Sequence, residues 1–338
     1  MVQAEIVLSN DGSGRLEKEI RDMEVDESSE VLDFTRRRIL HVWHFEPCQN
    51  LRSLTMRWNL IKKIENLDCL GSTLTKLNLY DNQIEKMENL ESLVNLTSLD
   101  LSYNRMTKIE GLETLAKLKE LHLVHNKLTV IEGLHTLTEL EYLELGDNRI
   151  RKIEGLENNT KLKRLFLGAN QIHKIEGLNG HPDLYELSMP GNAITEIEGL
   201  ENLPKLRFLS IAQNGIRVVK GLENQLELIN LDLNDNLIEK LENLDQLQSL
   251  TDLMIRKNKI SDWQNVKVLQ SLKKLNAIVL EMNPIYSSEH FYKNRIREIL
   301  PNVCFIDGLP VGWVSGDPYQ PLPASFYSIF ESRNIERV

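Results

Sequence analysis

Aromatic side chains are scarce, at 6% of 338 residues. Rings are the bulkiest core fillers, so whatever core this chain builds must be mainly aliphatic. Three cysteines, Cys48, Cys69 and Cys304, form an odd set without framework spacing. They exclude a disulfide scaffold and fit a reducing compartment. No apolar run approaches the length needed to cross a bilayer, and the acidic N-terminus lacks the apolar stretch of a secretory signal. Positive charge is in deficit: the formal net charge is −10, which disfavours nonspecific nucleic-acid binding. A soluble intracellular protein without membrane or nucleic-acid partners is expected. Catalytic signatures are missing too. There is no phosphate-cradling glycine loop, H-E-x-x-H, paired C-x-x-C or nucleophile elbow, so neither enzymatic activity nor a cofactor is expected.

What the chain does have is a period. The stretch LTSLDLSYNRMTKIEGL (96–112) recurs, lightly edited, from near residue 30 to near residue 285. Its clearest beat is asparagine, at Asn59, Asn82, Asn104, Asn126, Asn148, Asn170, Asn192, Asn214, Asn236, Asn258 and Asn283. Nearly every step is 22 residues; the first is 23 and the last 25. A period this short defines a solenoid, and the pattern L-x-x-L-x-L-x-x-N is that of a leucine-rich repeat. Leucines two apart, such as Leu99 and Leu101, face one way on an extended segment while the residues between them face the other. Stacked coils therefore predict an α/β fold: about 11–12 coils of 22 residues, a parallel concave sheet, short convex helical segments and a C-terminal helical cap. The asparagine amide donates and accepts at once, so it is expected to satisfy backbone groups in its own turn and in the next coil.

On the convex side one position is only ever Gly or Asn: Asn66, Asn89, Gly111, Gly133, Gly155, Gly177, Gly199, Gly221, Asn243 and Asn265. These two residues share tolerance of positive φ, which predicts a left-handed turn into each convex segment. The glutamates before the glycines (Glu110, Glu132, Glu154, Glu176, Glu198) resemble a metal-binding row. A solvated convex face is the better reading, because a repeat multiplies any surface choice.

In order, residues 1–30 hold nine acidic against three basic residues, six of the ten net negative charges, and read as an acidic flexible tail. Ser28 and Ser29, flanked by Glu27 and Glu30, suit an acid-directed kinase, although an unmodified tail explains them as well. The solenoid is assigned to 31–285. Its first coil is degenerate, with Arg37 at the asparagine position and the basic run Arg36–Arg38 beside it. Residues 286–307 form the cap: Ser287 or Ser288 suits an N-cap, and Tyr292, Ile296, Ile299 and Leu300 share a helical face ended by Pro301. That helix is expected to close the open end of the sheet. Residues 308–338, rich in proline and aromatics, read as an extension packed on the flank.

Four residues before each beat lies the central column of the concave face, which includes Asp100, His122, Glu144, Phe166, Ser188, Ser210, Asp232, Met254 and Val279. Six before lie Tyr142, Arg164, Phe208 and Asp252 among others; two before lies Tyr80. Asp100, His122 and Glu144 suggest a metal site, and with it a metal-dependent hydrolase. However, side chains on adjacent parallel strands, about 4.8 Å apart, diverge rather than converge. Exposed aromatics set among carboxylates are instead the composition of a protein-recognition surface.

The coil type with I-x-x-I-E-G-L or I-E-N-L, the runs LYDNQIEKMENLESL (79–93), IEGLENLPKL (197–206), NGIRVVKGLEN (214–224) and LEMNPI (280–285), and the end around Asn283-Pro284 and Leu300-Pro301 resemble one family. It is the regulatory subunit 7 family of protein phosphatase 1, leucine-rich-repeat partners of the type 1 serine/threonine phosphatase catalytic subunit. The resemblance spans about residues 31–307. It implies a non-catalytic regulator, monomeric when unbound, that holds the phosphatase on its concave face and controls its maturation, localisation or activity. It also implies nuclear and cytoplasmic location, a part in mitosis and chromosome segregation, and room for a further phosphatase inhibitor in a ternary complex. Carried over by position, the partner-binding residues are Asp100, His122, Glu144, Phe166, Phe208, Asp232, Asp252, Met254 and Val279. Of these, Asp252 stands where the family has glutamate, His122 where it has phenylalanine, Met254 tryptophan and Val279 tyrosine. The alternative is an adaptor of the same coil type for a ribonucleoprotein or cytoskeletal component.

Overall fold

The computed structural model describes residues 26–42, 45–287 and 291–312. It is a parallel-strand solenoid of about 11 turns of roughly 22 residues, with few helices. The chain divides into two compact units, Met1–Leu184 and Tyr185–Val338.

The first unit carries seven short strands: β1 (Val31–Asp33), β2 (Ser53–Thr55), β3 (Lys76–Asn78), β4 (Ser98–Asp100), β5 (Glu120–His122), β6 (Tyr142–Glu144) and β7 (Arg164–Phe166). Consecutive strands pair in parallel, and each repeat position meets its own equivalent: Leu99 faces Leu121, which faces Leu143. A constant period leaves no other register, because a one-residue slip would turn every leucine to solvent. Leu112, Leu115, Leu118, Leu121, Leu123 and Leu128 are all wholly buried. Each contributes roughly 1.5–3 kcal/mol relative to exposure.

The asparagines do more than the sequence suggests, and in the opposite direction. Asn148 Oδ1 accepts from the Leu128 N–H at 3.0 Å, while Nδ2 donates to the carbonyls of Leu123, Leu145 and Gly146 at 2.9, 3.0 and 3.1 Å. Leu123 and Leu128 belong to the preceding coil, so the amide reaches backwards. Asn82, Asn104 and Asn126 repeat the same set. On the convex side, Asn159 and His181 replace buried leucines. Each again faces a carbonyl of the preceding coil: Leu134 at 2.9 Å and Leu156 at 3.1 Å.

The Gly/Asn position has left-handed φ at Asn66, Asn89, Asn243 and all six glycines. Space adds a second reason for glycine. A Cβ on Gly155 would lie 2.3 Å from the Ile131 carbonyl oxygen of the coil before it. Where asparagine stands instead, its amide donates to the equivalent carbonyl, Asn89 to Ile64 at 2.7 Å. Asn265 departs from the expectation. It lies inside a helix, α1 (Trp263–Val268), and uses its side-chain oxygen to accept from the Leu241 N–H. Convex helical segments are limited to α1 and to 3₁₀ turns at Asp68–Leu70 and Leu269–Ser271; the other described coils turn without helix.

The second unit carries β8 (Glu186–Ser188), β9 (Phe208–Ser210), β10 (Asn230–Asp232), β11 (Asp252–Met254), β12 (Ala277–Val279), β13 (Phe305–Ile306) and β14 (Leu309–Pro310). Pairing is parallel from β8 to β13. Two short helices, α2 (Pro284–Ser287) and α3 (Tyr292–Ile299), lie between β12 and β13. As the spacing predicts, α3 buries Tyr292, Ile296 and Ile299. Its N-cap is Phe291, without a side-chain cap bond, while Ser287 ends α2; Ser288 and Glu289 lie outside the described residues. Nor does α3 close the sheet. Strand β13 extends it and β14 folds back antiparallel through Asp307-Gly308, both at positive φ, the two-residue turn an Asp-Gly pair favours. The acidic tail and the proline/aromatic extension fall almost wholly outside the described residues.

Candidate partner-binding faces

Strand alternation decides which side chains leave the core. On each strand of the first unit the middle leucine points inward, and the residues on either side of it point out. Register then sets Asp100 beside His122, His122 beside Glu144, and Glu144 beside Phe166.

These four are tied together. Asp100 accepts from Asn78 Nδ2 at 3.1 Å and from the Ser102 N–H at 2.9 Å. His122 Nδ1 lies 3.1 Å from Glu144 Oε2, which also accepts from the Tyr142 hydroxyl at 3.0 Å. The Tyr142 ring packs against His122 at 4.6 Å and Phe166 at 5.2 Å between centroids, and the Arg164 guanidinium lies over both Tyr142 and Phe166. Burial works against a charge on His122. The Glu144 hydrogen bond and the Asp100 carboxylate outweigh it, and the imidazole pKa lies above its ordinary value. Burial likewise pushes the Asp100 carboxyl up, against the Ser102 N–H and His122.

This is a braced polar–aromatic surface. Among the described residues no three His, Cys, Asp or Glu side chains are gathered so as to hold a metal ion. The Glu144 oxygen nearest the histidine is already shared with a phenol. The convex glutamates pair sideways with lysines, Glu110 with Lys108 at 3.8 Å and Glu154 with Lys152 at 3.2 Å, both partly exposed contacts of small energetic weight.

In the second unit Phe208, Asp232, Asp252, Met254 and Val279 lie on four successive strands. Phe208 and Asp252 flank Asn230, and Met254 sits between Asp232 and Val279. Phe208 is the most open, at 38% exposure. Asp232 is the least exposed of them. Only 6% of it reaches solvent, and its carboxylate accepts from Ser210 Oγ and the Asn234 N–H, both at 3.1 Å. Those two bonds brace the face. Beside Met254 and Val279, Arg256 Nε pairs with Glu281 at 2.9 Å, so the C-terminal strands present a salt bridge where aromatics are few.

Two features of the first unit escaped the sequence reading. Arg164 completes the cluster over Tyr142 and Phe166; Tyr142 is one of the outward aromatics the sequence points to, whereas Arg164 stood in the same flanking column without being singled out. The residue before each asparagine, including Trp58, Tyr103 and His125, is left-handed. Residue type concealed that turn, because large aromatic side chains are unusual there.

Repeat, register and asparagine ladder together define a class, and the chain belongs to the leucine-rich repeat family. The model of that family matches residues 34–145 and 115–222, more than half of the chain. Protein phosphatase 1 regulatory subunit SDS22 of Schizosaccharomyces pombe is 51% identical over 51 residues, 15% of this chain and 14% of that protein. The matched segment thus spans about one seventh of the length of the curated relative. Among solved structures, the internalin inlF of Listeria monocytogenes shares the fold with a TM-score of 0.66 at 24% identity, over 82% of this chain and 86% of that one. Internalin C2 of the same organism is 30% identical with a TM-score of 0.52, over 56% and 82%.

Proposed function

We propose that this chain is a non-catalytic regulatory subunit that binds the catalytic subunit of a type 1 serine/threonine phosphatase through its outward strand faces. The observation that carries the reading is the local 51% identity to a phosphatase 1 regulatory subunit. The faces suit the task. Phe166 and Phe208 are aromatic anchors, and Asp100, Glu144 and Asp252 are held by neighbouring side chains or backbone, so little side-chain freedom is lost on binding.

In this reading the protein acts in nucleus and cytoplasm, in mitosis and chromosome segregation, is monomeric when unbound, and leaves room for a phosphatase inhibitor in a ternary complex. The test is direct titration of purified phosphatase catalytic subunit by isothermal calorimetry. Phe166→Ala and, separately, Phe208→Ala with Asp252→Ala should weaken binding by at least about tenfold, as aromatic hot spots do. No heat of binding with the unaltered protein, or unchanged affinity in both variants, refutes the proposal. A second reading, an adaptor for a different intracellular protein, is favoured by the departures at His122, Met254 and Val279, and predicts the first of those outcomes.

A further inference from the structure

The His122 imidazole sits between two carboxylates without exhausting either its own hydrogen-bonding capacity or theirs. Strand register places Asp100 on one side of it and Glu144 on the other. Nδ1 lies 3.1 Å from Glu144 Oε2, and that same oxygen takes the Tyr142 hydroxyl. Glu144 Oε1 and His122 Nε2 bond to nothing among the described residues, and both reach the surface of the strand face. The two side chains are 31% and 27% exposed, enough for a partner to touch each.

Protonation decides what this spot offers. In the neutral tautomer Nδ1–H donates to Glu144 and Nε2 is left as an outward acceptor; in the imidazolium Nε2–H is an outward donor. The charged and titratable groups around the ring come from three strands. They are Asp100 on β4, Glu120 on β5 itself, and Tyr142 and Glu144 on β6. Arg164 on β7 lies over Tyr142 and Phe166. An anionic group approaching Nε2 would meet three carboxylates. A cationic group would meet the same three favourably, with the unused Glu144 oxygen to accept from it, but only the imidazolium charge would oppose it.

We propose that His122 is a specificity-determining residue of this face: in the free chain its imidazolium balances Asp100 and Glu144, and a guanidinium or ammonium group of the partner takes over that balance on Glu144 Oε1. The Nε2–H bond then breaks and its proton passes to solvent, while Nδ1–H stays on Glu144 Oε2. The inference rests on the phosphatase reading for the identity of the partner, and adds that a basic group meets the chain here. It makes binding a proton-releasing step. Since the imidazole pKa of the free chain lies above its ordinary value, affinity should climb as pH rises through that value and level off beyond it. One proton limits the slope to about tenfold per pH unit.

The test is isothermal calorimetry of the full chain with purified phosphatase catalytic subunit at about pH 6.5 and about pH 8.5, in buffers of different ionisation enthalpy, which counts the protons exchanged. The unaltered chain should bind at least about threefold more weakly at the lower pH and release more protons there. His122→Gln keeps an amide donor for Glu144 and cannot titrate; His122→Phe keeps a ring against Tyr142. Both should lose the extra release and its share of the pH slope, whatever their affinity at high pH. Titrating groups of the phosphatase are common to all three titrations and cancel in the differences. Circular dichroism checks that each variant is folded. Proton uptake in place of release overturns the proposal, and so does equal release by all three proteins. Absence of binding by the unaltered chain refutes the phosphatase reading and this inference with it, whereas binding without a difference in release refutes this inference alone.

Discussion

Replacing Asn148 with alanine removes four hydrogen bonds, yet should cost only about as much as one orphaned donor. The three carbonyls that Asn148 serves each keep another donor. Leu123 O retains Asn126 Nδ2 at 3.2 Å, Leu145 O retains Asn170 Nδ2 at 2.9 Å, and Gly146 O retains the His125 N–H at 2.9 Å. The Leu128 N–H, by contrast, has the Asn148 oxygen as its acceptor and lies in the buried part of the coil. The expected loss is therefore about 1–3 kcal/mol, the cost of one unsatisfied buried amide, and not a sum over four bonds. Asn126→Ala follows the same arithmetic: Leu101 O keeps Asn104 Nδ2, Val124 O keeps the Tyr103 N–H, and the Met106 N–H is orphaned. Together the two changes do something neither does alone. They strip Leu123 O of both side-chain donors, so the loss in the double variant should exceed the additive sum by about 1–3 kcal/mol. Urea unfolding of the four proteins, with the m-value checked for constancy, measures the coupling. Hydrogen exchange at Leu128 checks that its amide loses protection in Asn148→Ala. Strict additivity, or a single-variant loss above about 4 kcal/mol, would refute the shared-carbonyl reasoning.

The remaining expectations concern other parts of the coil. Gly155→Ala should lose about 1–2 kcal/mol from the left-handed φ of +71° and more from the contact with the Ile131 carbonyl, whereas Gly155→Asn should be milder because asparagine fills the same position at 66, 89 and 243; thermal melts compare the two. Leu121→Ala, at a fully buried strand position, should cost about 2–5 kcal/mol in the same assay. Since the His122 pKa is raised on folding, its stabilising contribution is complete below 6.5 and is lost as pH rises through the folded value. The stability gap between the unaltered protein and His122→Gln should thus shrink from pH 6 towards pH 9; a gap that stays constant or widens in urea titrations contradicts the Asp100–His122–Glu144 coupling.

Periodicity made most of the fold legible. A constant 22-residue step fixes which leucines are buried and which columns face outward, and the strands at Ser98–Asp100, Glu120–His122 and Tyr142–Glu144 follow without ambiguity. Where the period breaks, local chemistry takes over. Asn265 reads as one more left-handed turn, but Asp262 caps a helix through the Gln264 N–H and carries Asn265 into it. The Asp307-Gly308 hairpin was readable as a turn pair and went unnoticed beside the stronger helical pattern of α3. Columns identify neighbours but not depth. Asp232 shares its column with Asp100 and Glu144, and only the structure reveals that its carboxylate is turned to Ser210 and Asn234.

The backward reach of the asparagines gives the molecule a temporal polarity. In turn after turn among the described coils, the amide that completes the turn is supplied some twenty positions later, as Asn104 does for Ile84 and Asn126 for Met106. A chain synthesised from its N-terminus would hold each newest loop half-fastened until its successor emerged, and shortening from the C-terminal side would always uncover a dangling amide. Among the described residues Asp307 also reaches backwards, at a different point of the turn: its carboxylate accepts from the Leu280 and Glu281 N–H groups of the coil before it.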